Sequence, residues 1–326
     1  MAHSNFQTHL ILSIILFFLS SSVKSQDFKF DRITTENGLS QGTVNCIYQD
    51  SKGFIWIGTN DGLNCYNAYS FKVYKSNAKD SFSISGNTIV SIAEDSASNL
   101  WIATKSRGLN YYNRENNKFT RFQHKNGETN SIITNELKKV LTDKHGNIII
   151  GTSGKGLDVF IPATGKFIHY KHQENETSLG NDDVFSIIEE GNGKFWIGSN
   201  CGSVDLFDIN QGTFKKYKFS DDYKPTNNSI GTFLLKDQNN LWIGTNGNGL
   251  FRLNISTGET TTLNASSLNS NIITSIINYK NQLLIGADGG GINIYDNNSG
   301  SFKQILYDAG DPLSLINNAV YTSIEL

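Results

Sequence analysis

Phe54-Ile55-Trp56-Ile57-Gly58-Thr59, followed by Asp61-Gly62-Leu63-Asn64-Cys65-Tyr66-Asn67, decides the fold, because something very like it returns five more times. Asn99-Leu100-Trp101-Ile102-Ala103-Thr104 runs on to Gly108-Leu109-Asn110-Tyr111-Tyr112-Asn113. Asn147-Ile148-Ile149-Ile150-Gly151-Thr152 leads to Gly156-Leu157-Asp158-Val159-Phe160. Lys194-Phe195-Trp196-Ile197-Gly198-Ser199 leads to Val204-Asp205-Leu206-Phe207-Asp208. Asn240-Leu241-Trp242-Ile243-Gly244-Thr245 and Gln282-Leu283-Leu284-Ile285-Gly286-Ala287 complete the set, each followed by a Gly-led apolar strand. The tryptophan slot falls at 56, 101, 149, 196, 242 and 284, so the period is 42–48 residues, and all four tryptophans of the chain occupy it. The chain is a repeat protein.

Working outward from the slot, each repeat holds four strand-like segments. In the first these are Thr43 to Tyr48, Phe54 to Thr59, Leu63 to Tyr66 and Phe71 to Tyr74, with a hairpin turn at Asp50-Ser51-Lys52-Gly53. Asp and Asn accept local backbone hydrogen bonds in such turns, and Gly takes a positive φ without penalty. The second repeat departs from this, with Asp95-Ser96-Ala97-Ser98 and no Gly. A lone four-stranded antiparallel sheet cannot bury both faces. Stacking such sheets around an axis does so, and a unit of about 40–50 residues is the period of a β-propeller. The ring at the tryptophan slot is expected to wedge between adjacent blades. The small residue two places on (Gly58, Ala103, Gly151, Gly198, Gly244, Gly286) is expected where sheets approach closely.

The ends extend the pattern. Phe28 to Ile33 matches a fourth, outer strand, and Ala319 to Ile324 matches a first, inner one. The expected fold is therefore all-β: a propeller of six complete four-stranded blades plus half of a seventh, in a ring cut short by roughly 35 residues. An exposed strand edge is expected at the gap.

Composition suits this reading, with 30 Gly, only 3 Pro, 11% aromatic and 18% charged residues. The formal net charge of −2 gives no electrostatic reason to expect a nucleic acid or an anionic membrane surface as partner. Residues 1–25 read as a cleaved secretory signal peptide, with an apolar run from Leu10 to Leu19 and small residues before Gln26. That leaves 26–326 as the propeller domain. Cys46, Cys65 and Cys201 are an odd set. The first two would lie on non-adjacent strands, about 9–10 Å apart and beyond disulfide reach, so all three are expected to be free thiols.

Read as a consensus, each unit runs through a Ser-Leu or Ser-Ile linker, an apolar strand, Asp-x-x-Gly, Trp-Ile-Gly-Thr, Gly-Leu-Asn-x-Tyr-Asn and Phe-x-x-Tyr. This resembles the two-component regulator propeller repeat, which builds the periplasmic sensor of hybrid two-component systems in Bacteroidetes. Linkers such as Asp308-Ala309-Gly310-Asp311-Pro312-Leu313-Ser314-Leu315 and the opening Phe30 to Ser40 carry the likeness too. The resemblance implies a periplasmic sensor for oligosaccharides, working as a homodimer with further propeller and kinase domains. Any kinase activity belongs to those parts, so this chain is expected not to be an enzyme. The alternatives are a secreted scaffold or adhesion module and, less favoured, a propeller lyase or glycosidase.

Catalytic constellations are not evident. His169 and His172 flank a strand end without Cys or carboxylate partners at ligand spacing, and His169 aligns with surface positions of other outer strands. Asp182-Asp183 and Asp221-Asp222 fall in linkers, where solvated turn carboxylates are the default. No cofactor or metal is implied. For ligand binding, the loops between second and third strands vary while their framework repeats. They offer Asn60, Asp61, Lys105, Arg107, Lys155, Asn200, Asn246, Asn248 and Asp288. Amides, cations and carboxylates of this kind hydrogen-bond sugar hydroxyls or uronates, and Phe82 or Tyr223 in linkers could stack on a ring. The plainer reading is that Asn and Gly satisfy tight turns.

Overall fold

The computed structural model describes residues 28–220, 233–263 and 268–324. The signal-peptide segment, Asp221-Asp222 and Tyr223 lie outside the described residues. Six four-stranded antiparallel sheets follow one another along the chain, each paired in chain order. Blade one comprises β1 Val44–Gln49, β2 Ile55–Thr59, β3 Gly62–Tyr66 and β4 Phe71–Tyr74. Blade two comprises β5 Ile89–Glu94, β6 Leu100–Thr104, β7 Leu109–Asn113 and β8 Lys118–Phe122. Blade three comprises β9 Leu137–Thr142, β10 Ile148–Thr152, β11 Leu157–Ile161 and β12 Lys166–Tyr170. Blade four comprises β13 Val184–Gly191, β14 Lys194–Ser199, β15 Ser203–Asp208 and β16 Thr213–Lys218. Blade five comprises β17 Phe233–Asp237, β18 Asn240–Gly244, β19 Leu250–Asn254 and β20 Thr260–Leu263. Blade six comprises β21 Ile273–Tyr279, β22 Gln282–Ala287, β23 Gly291–Asp296 and β24 Phe302–Ile305. The described helix is confined to a single 3-10 turn at Thr35–Asn37, apart from one residue at 268. None is long and apolar enough to cross a membrane.

The core lies between blades. Five apolar clusters fill the five successive seams, and each holds the tryptophan-slot residue of one blade against the strands of the next. Trp56 meets Tyr112 of blade two at 5.6 Å between ring centroids, Trp101 meets Phe160 of blade three at 5.7 Å, and Trp242 meets Tyr295 of blade six at 5.4 Å. The wedge expectation holds.

The small-residue slot explains itself by the same geometry. A Cβ on Gly58 would lie 2.8 Å from Ile89 of blade two. On Gly151 it would lie 2.8 Å from Val184, and on Gly244 2.5 Å from Ile273. None of these glycines needs an unusual φ; the constraint is the neighbouring first strand. Gly244→Ala is therefore expected to destabilise the fold by about 1–3 kcal/mol through overpacking. Adding Ile273→Ala, which removes the Cγ2 in the way, should cost less in the Gly244→Ala background than in the native one, read as a non-additive double-mutant cycle in urea unfolding. Additive losses would remove this account.

The hairpin turns follow the expected mechanism. Asp50 Oδ1 accepts from the backbone N–H of Lys52 and Phe54, both at 2.9 Å, and Asp143 repeats the pattern with His145 and Asn147 at 2.8 Å. In the repeat without glycine, Asp95 makes the same two bonds, and Ser98 takes φ 62° where Gly53 has 83° and Gly146 has 82°. A residue other than glycine here adopts the left-handed region at modest cost.

The outer- and inner-strand segments predicted at the ends, Phe28 to Ile33 and Ala319 to Ile324, differ from expectation in one respect: neither belongs to a ladder. Their places in the ring are nevertheless those of a seventh blade. Phe30 N–H donates to Leu313 O at 3.0 Å, as Phe119 does to Phe82 O and Phe214 does to Thr177 O, both at 2.9 Å. Arg32 reaches Ser314 O as Arg121 reaches Ser83 O. Val320 sits against Gly286, where Ile89 sits against Gly58. Among the described residues, no strand is paired with either segment.

The three cysteines are half-buried free thiols, with Cys46 on β1 and Cys65 on β3 and a full strand between. Burial pushes the Cys46 thiol up to about 12, so it stays protonated and inert.

Candidate functional site

In blades one, two, three and five the loop between the second and third strands is tied down twice, and in blade six once. The threonine ending the second strand turns its hydroxyl onto the glycine carbonyl that opens the third. Thr104, Thr152 and Thr245 donate at 2.7 Å to Gly108, Gly156 and Gly249, and Thr59 does so at 3.1 Å to Gly62. The glycine N–H then donates to the linker of the next blade: Gly62 to Asn87 O, Gly108 to Asn135 O, Gly156 to Asp182 O, Gly249 to Asn271 O, and Gly291 to Asn318 O, at 2.8–3.0 Å. Loops and linkers therefore converge on one end of the blades.

All nine predicted residues lie in these loops at that end. Asn60, Lys105, Arg107 and Lys155 are exposed; Asp61, Asn200, Asn248 and Asp288 are half-buried, and Asn246 is buried. They come from six different blades, so the structure spreads them around a rim instead of gathering them into one pocket. Several already have partners. Asp61 pairs with Lys75 at 2.6 Å, an exposed ion pair of little stabilising value, and Asn60 accepts from Asn45. Asn246 forms a bridge with Ile272 at the start of blade six, which makes it a framework residue. The exposed Phe82 is not with them: it lies beside the outer strand β8, with the Lys118 ammonium 4.2 Å from its ring centroid.

A charged pair near this end was missed in the sequence. Lys138 Nζ stands 3.1 Å from Asp183 and 3.5 Å from the Phe185 ring centroid. Burial lowers the Lys138 ammonium below its ordinary range, although Asp183 works against that. Two consecutive lysines, Lys138-Lys139, in an otherwise apolar inner strand were the available signal. Asp182 and Asp183 are accordingly not the solvated turn carboxylates expected. Asp182 accepts from the His172 N–H at 2.7 Å, and both aspartates are half-buried.

One slot near the start of the third strand forms a repeated clamp. Asn64, Asn110, Asp158, Asp205 and Asn293 have no exposed surface. Four of them accept a linker N–H: Ser40 on Asn64, Ser85 on Asn110, Ile133 on Asp158 and Gly180 on Asp205, at 2.7–2.9 Å. Cations on the outer strand reach linker carbonyls from the other side, Arg121 to Ser83 and Lys216 to Asn175. His169 belongs to this set, so its expected surface role is corrected. Its Nδ1 lies 2.7 Å from Asp158 and its Nε2 3.1 Å from Thr129 O. The Asp158 hydrogen bond raises the His169 imidazolium above its ordinary range, partly opposed by burial. A raised folded-state value means stability that is present below the unfolded value and lost as pH rises through the folded one. His169→Gln is expected to cost on the order of 1 kcal/mol at pH 5.5 and much less at pH 8.5. Urea unfolding at both pH values checks this, and a difference independent of pH would refute it.

Two surface grooves lie elsewhere. One, of about 340 Å³, is lined by Trp56, Tyr74, Tyr112, Arg114, Lys52 and Lys72 at the outer seam of blades one and two. The other, of about 500 Å³, is lined by Glu176, Lys194, Leu206, Asp208, Phe214 and Lys216 on blade four. None of the predicted residues lines either. Among the described residues, no group of three or more His, Cys, Asp or Glu is placed to hold a metal ion.

Segments 38–61 and 83–106 match the family model described as two component regulator propeller. Over 78 residues the chain is 47% identical to histidine kinase P4 of Formosa agariphila, covering 23% of this chain and 6% of that protein. Among solved structures it resembles the extracellular domain of the hybrid two component system BT3049 of B. thetaiotaomicron, with 29% identity and a TM-score of 0.75. That match covers 90% of this chain and 38% of the other. The extracellular domain of BT4673 from the same organism matches at 25% identity and a TM-score of 0.68, covering 90% and 37%. The chain thus spans well under half the length of the relatives it matches.

Proposed function

We infer that this chain, which carries two-component regulator propeller repeats, is the ligand-sensing propeller of a hybrid two-component protein, exposed in the periplasm. The observation that most supports this is the 29% identity along 90% of the chain to the extracellular domain of such a system. The ligand is an oligosaccharide, met at the end of the blades where loops and linkers converge. The exposed Lys105, Arg107 and Lys155 offer donors that pair with no acid among the described residues, which suits sugar hydroxyls and uronates. Sensing then works by differential binding, in which the ligand favours one packing of this propeller with its neighbours in a dimer. Kinase chemistry belongs to other domains, and this chain contributes recognition alone.

Titration calorimetry with a panel of neutral and uronate-containing oligosaccharides tests this. We expect at least one to bind, and the combined Lys105→Ala, Arg107→Ala and Lys155→Ala variant to weaken it at least tenfold while unfolding normally. Failure of the whole panel would overturn the oligosaccharide reading. Binding that survives the triple substitution would overturn the site.

A further inference from the structure

We propose that the groove at the outer seam of blades one and two is a binding site for a small aromatic carboxylate, an anion with one flat ring. The groove stands apart from the loop rim and does not depend on the sensing role. Three observations carry this.

The first is why the groove exists. In every blade the tryptophan-slot residue has a direct cross-strand partner on the third strand. That partner is Tyr111 opposite Trp101, Val159 opposite Ile149, Leu206 opposite Trp196, Arg252 opposite Trp242 and Ile294 opposite Leu284. Opposite Trp56 it is Cys65. The Tyr111 ring centroid lies 4.8 Å from that of Trp101, and the Arg252 guanidinium carbon lies 5.6 Å from that of Trp242. Cysteine is the smallest of the six side chains. Beside it opens the groove of about 340 Å³, which Cys65 and Trp56 both line. That size lies within the ~300–1,000 Å³ of small-molecule pockets.

The second is the wall. Trp56, Tyr74 and Tyr112 pack with ring centroids 5.4–5.8 Å apart, and Phe54 extends the apolar lining. The tyrosine hydroxyls are already engaged. They lie 2.9 Å from each other, and Tyr112 donates to Asn117 Oδ1 at 2.8 Å. The wall therefore offers ring surface and few free hydroxyls, which suits an apolar ring better than a sugar.

The third is charge. Lys52, Lys72 and Arg114 line the groove and no carboxylate does, whereas the groove on blade four carries Glu176 and Asp208 among its lysines. Arg114 occurs once: the other blades have Ala68, Pro162, Ile209, Ile255 and Asn297 in its place. Its Nη2 meets Asp50 and Glu94, so part of its charge is already matched. Lys52 and Lys72 are exposed and pair with no acid among the described residues. Lys72 Nζ rests 4.8 Å from the Tyr74 ring centroid and donates to Asn117 Oδ1 at 3.0 Å. Two unmatched ammonium groups beside an aromatic wall select an anion whose body is apolar. A neutral ring gains nothing from the lysines, and an inorganic anion gains nothing from the rings.

The test titrates the whole chain with cinnamate, cinnamamide and glucuronate by calorimetry. We expect cinnamate to bind saturably, and the neutral amide and the sugar acid to bind at least tenfold more weakly. Cys65→Tyr, which gives blade one the residue that blade two already has, should weaken cinnamate at least tenfold. Lys52→Ala combined with Lys72→Ala should weaken it at least fivefold. Added salt should weaken binding to the native chain more than to this double variant, because exposed charges are screened. Both lysines are exposed, so the double variant keeps the site testable if the Cys65→Tyr chain fails to fold. Absence of cinnamate binding, equal binding of cinnamamide, tighter binding of glucuronate, or binding that neither variant weakens would overturn the site.

Discussion

Asp50→Ala is expected to lower the unfolding free energy by about 3–5 kcal/mol, the range for breaking a buried ion pair from one side. The Asp50 side chain has no exposed surface and serves four donors. Its Oδ1 closes the hairpin turn, while its Oδ2 takes the Trp56 indole N–H and the Arg114 guanidinium of blade two, both at 2.6 Å. Burial alone would raise this carboxyl, yet the bonds from Trp56 and Arg114 hold it below its ordinary range. Removing it leaves the Trp56 N–H buried without an acceptor, and Arg114 with the Ser98 carbonyl and the more distant Glu94 carboxylate, at 3.4 Å. Asp95→Ala is the control, because it deletes the same turn acid one repeat on. There the acid accepts from Ala97 and Asn99, and the Trp101 N–H has no partner to lose. Its cost should be only about 1 kcal/mol. Equal losses in urea unfolding would show that Asp50 matters for the turn alone and not for the seam.

The contrast between these two aspartates shows how far the sequence could be read. Asp50 and Asp95 occupy one slot of the repeat, and that slot, with the tryptophan six residues on, is enough to give the period, the blade and the wedge. The small residue at Gly58 or Gly244 is legible for the same reason: its constraint repeats. What the sequence hides is any contact made once, between blades. Nothing near Asp50 says that Arg114 will reach it from 64 residues away. Likewise, His169 looks like a surface residue because its partner, Asp158, lies on the neighbouring strand and the strand register must be known first. The predicted rim residues were found as loop positions, and loop positions they are. How they sit relative to one another depends on six different blades, which no local pattern encodes.

The same slot logic yields a second large effect, opposite in sign. Asp205→Asn is expected to stabilise the protein at pH 7, by on the order of 2–3 kcal/mol at most. Asp205 has no exposed surface, accepts one bond from Gly180 N–H, and leaves Oδ1 without a partner. Burial pushes its carboxyl up to about 6, with the Gly180 bond and the Lys216 and His172 charges opposing. The native state therefore holds a proton that the unfolded chain has already released between its ordinary value near 3.8 and about 6. Stability falls as pH rises through that window and then levels off. Asparagine keeps the acceptor for Gly180 and carries no charge to desolvate. The repeat itself supports the exchange, since Asn64 and Asn110 fill this place in the first two blades and donate to the carbonyls of Ile57 and Ile102 across the sheet. Ile197 stands in that relation to Asp205, ready to accept the new donor. Urea unfolding of both proteins at pH 4 and pH 7 decides the matter. The advantage of D205N should be small at pH 4 and full at pH 7, because only the ionised carboxylate suffers from burial. An advantage of equal size at both would mean that the gain comes from the added hydrogen bond. A loss at pH 7 would mean that the buried charge is stabilised by groups other than Gly180, and the clamp would need a different electrostatic account.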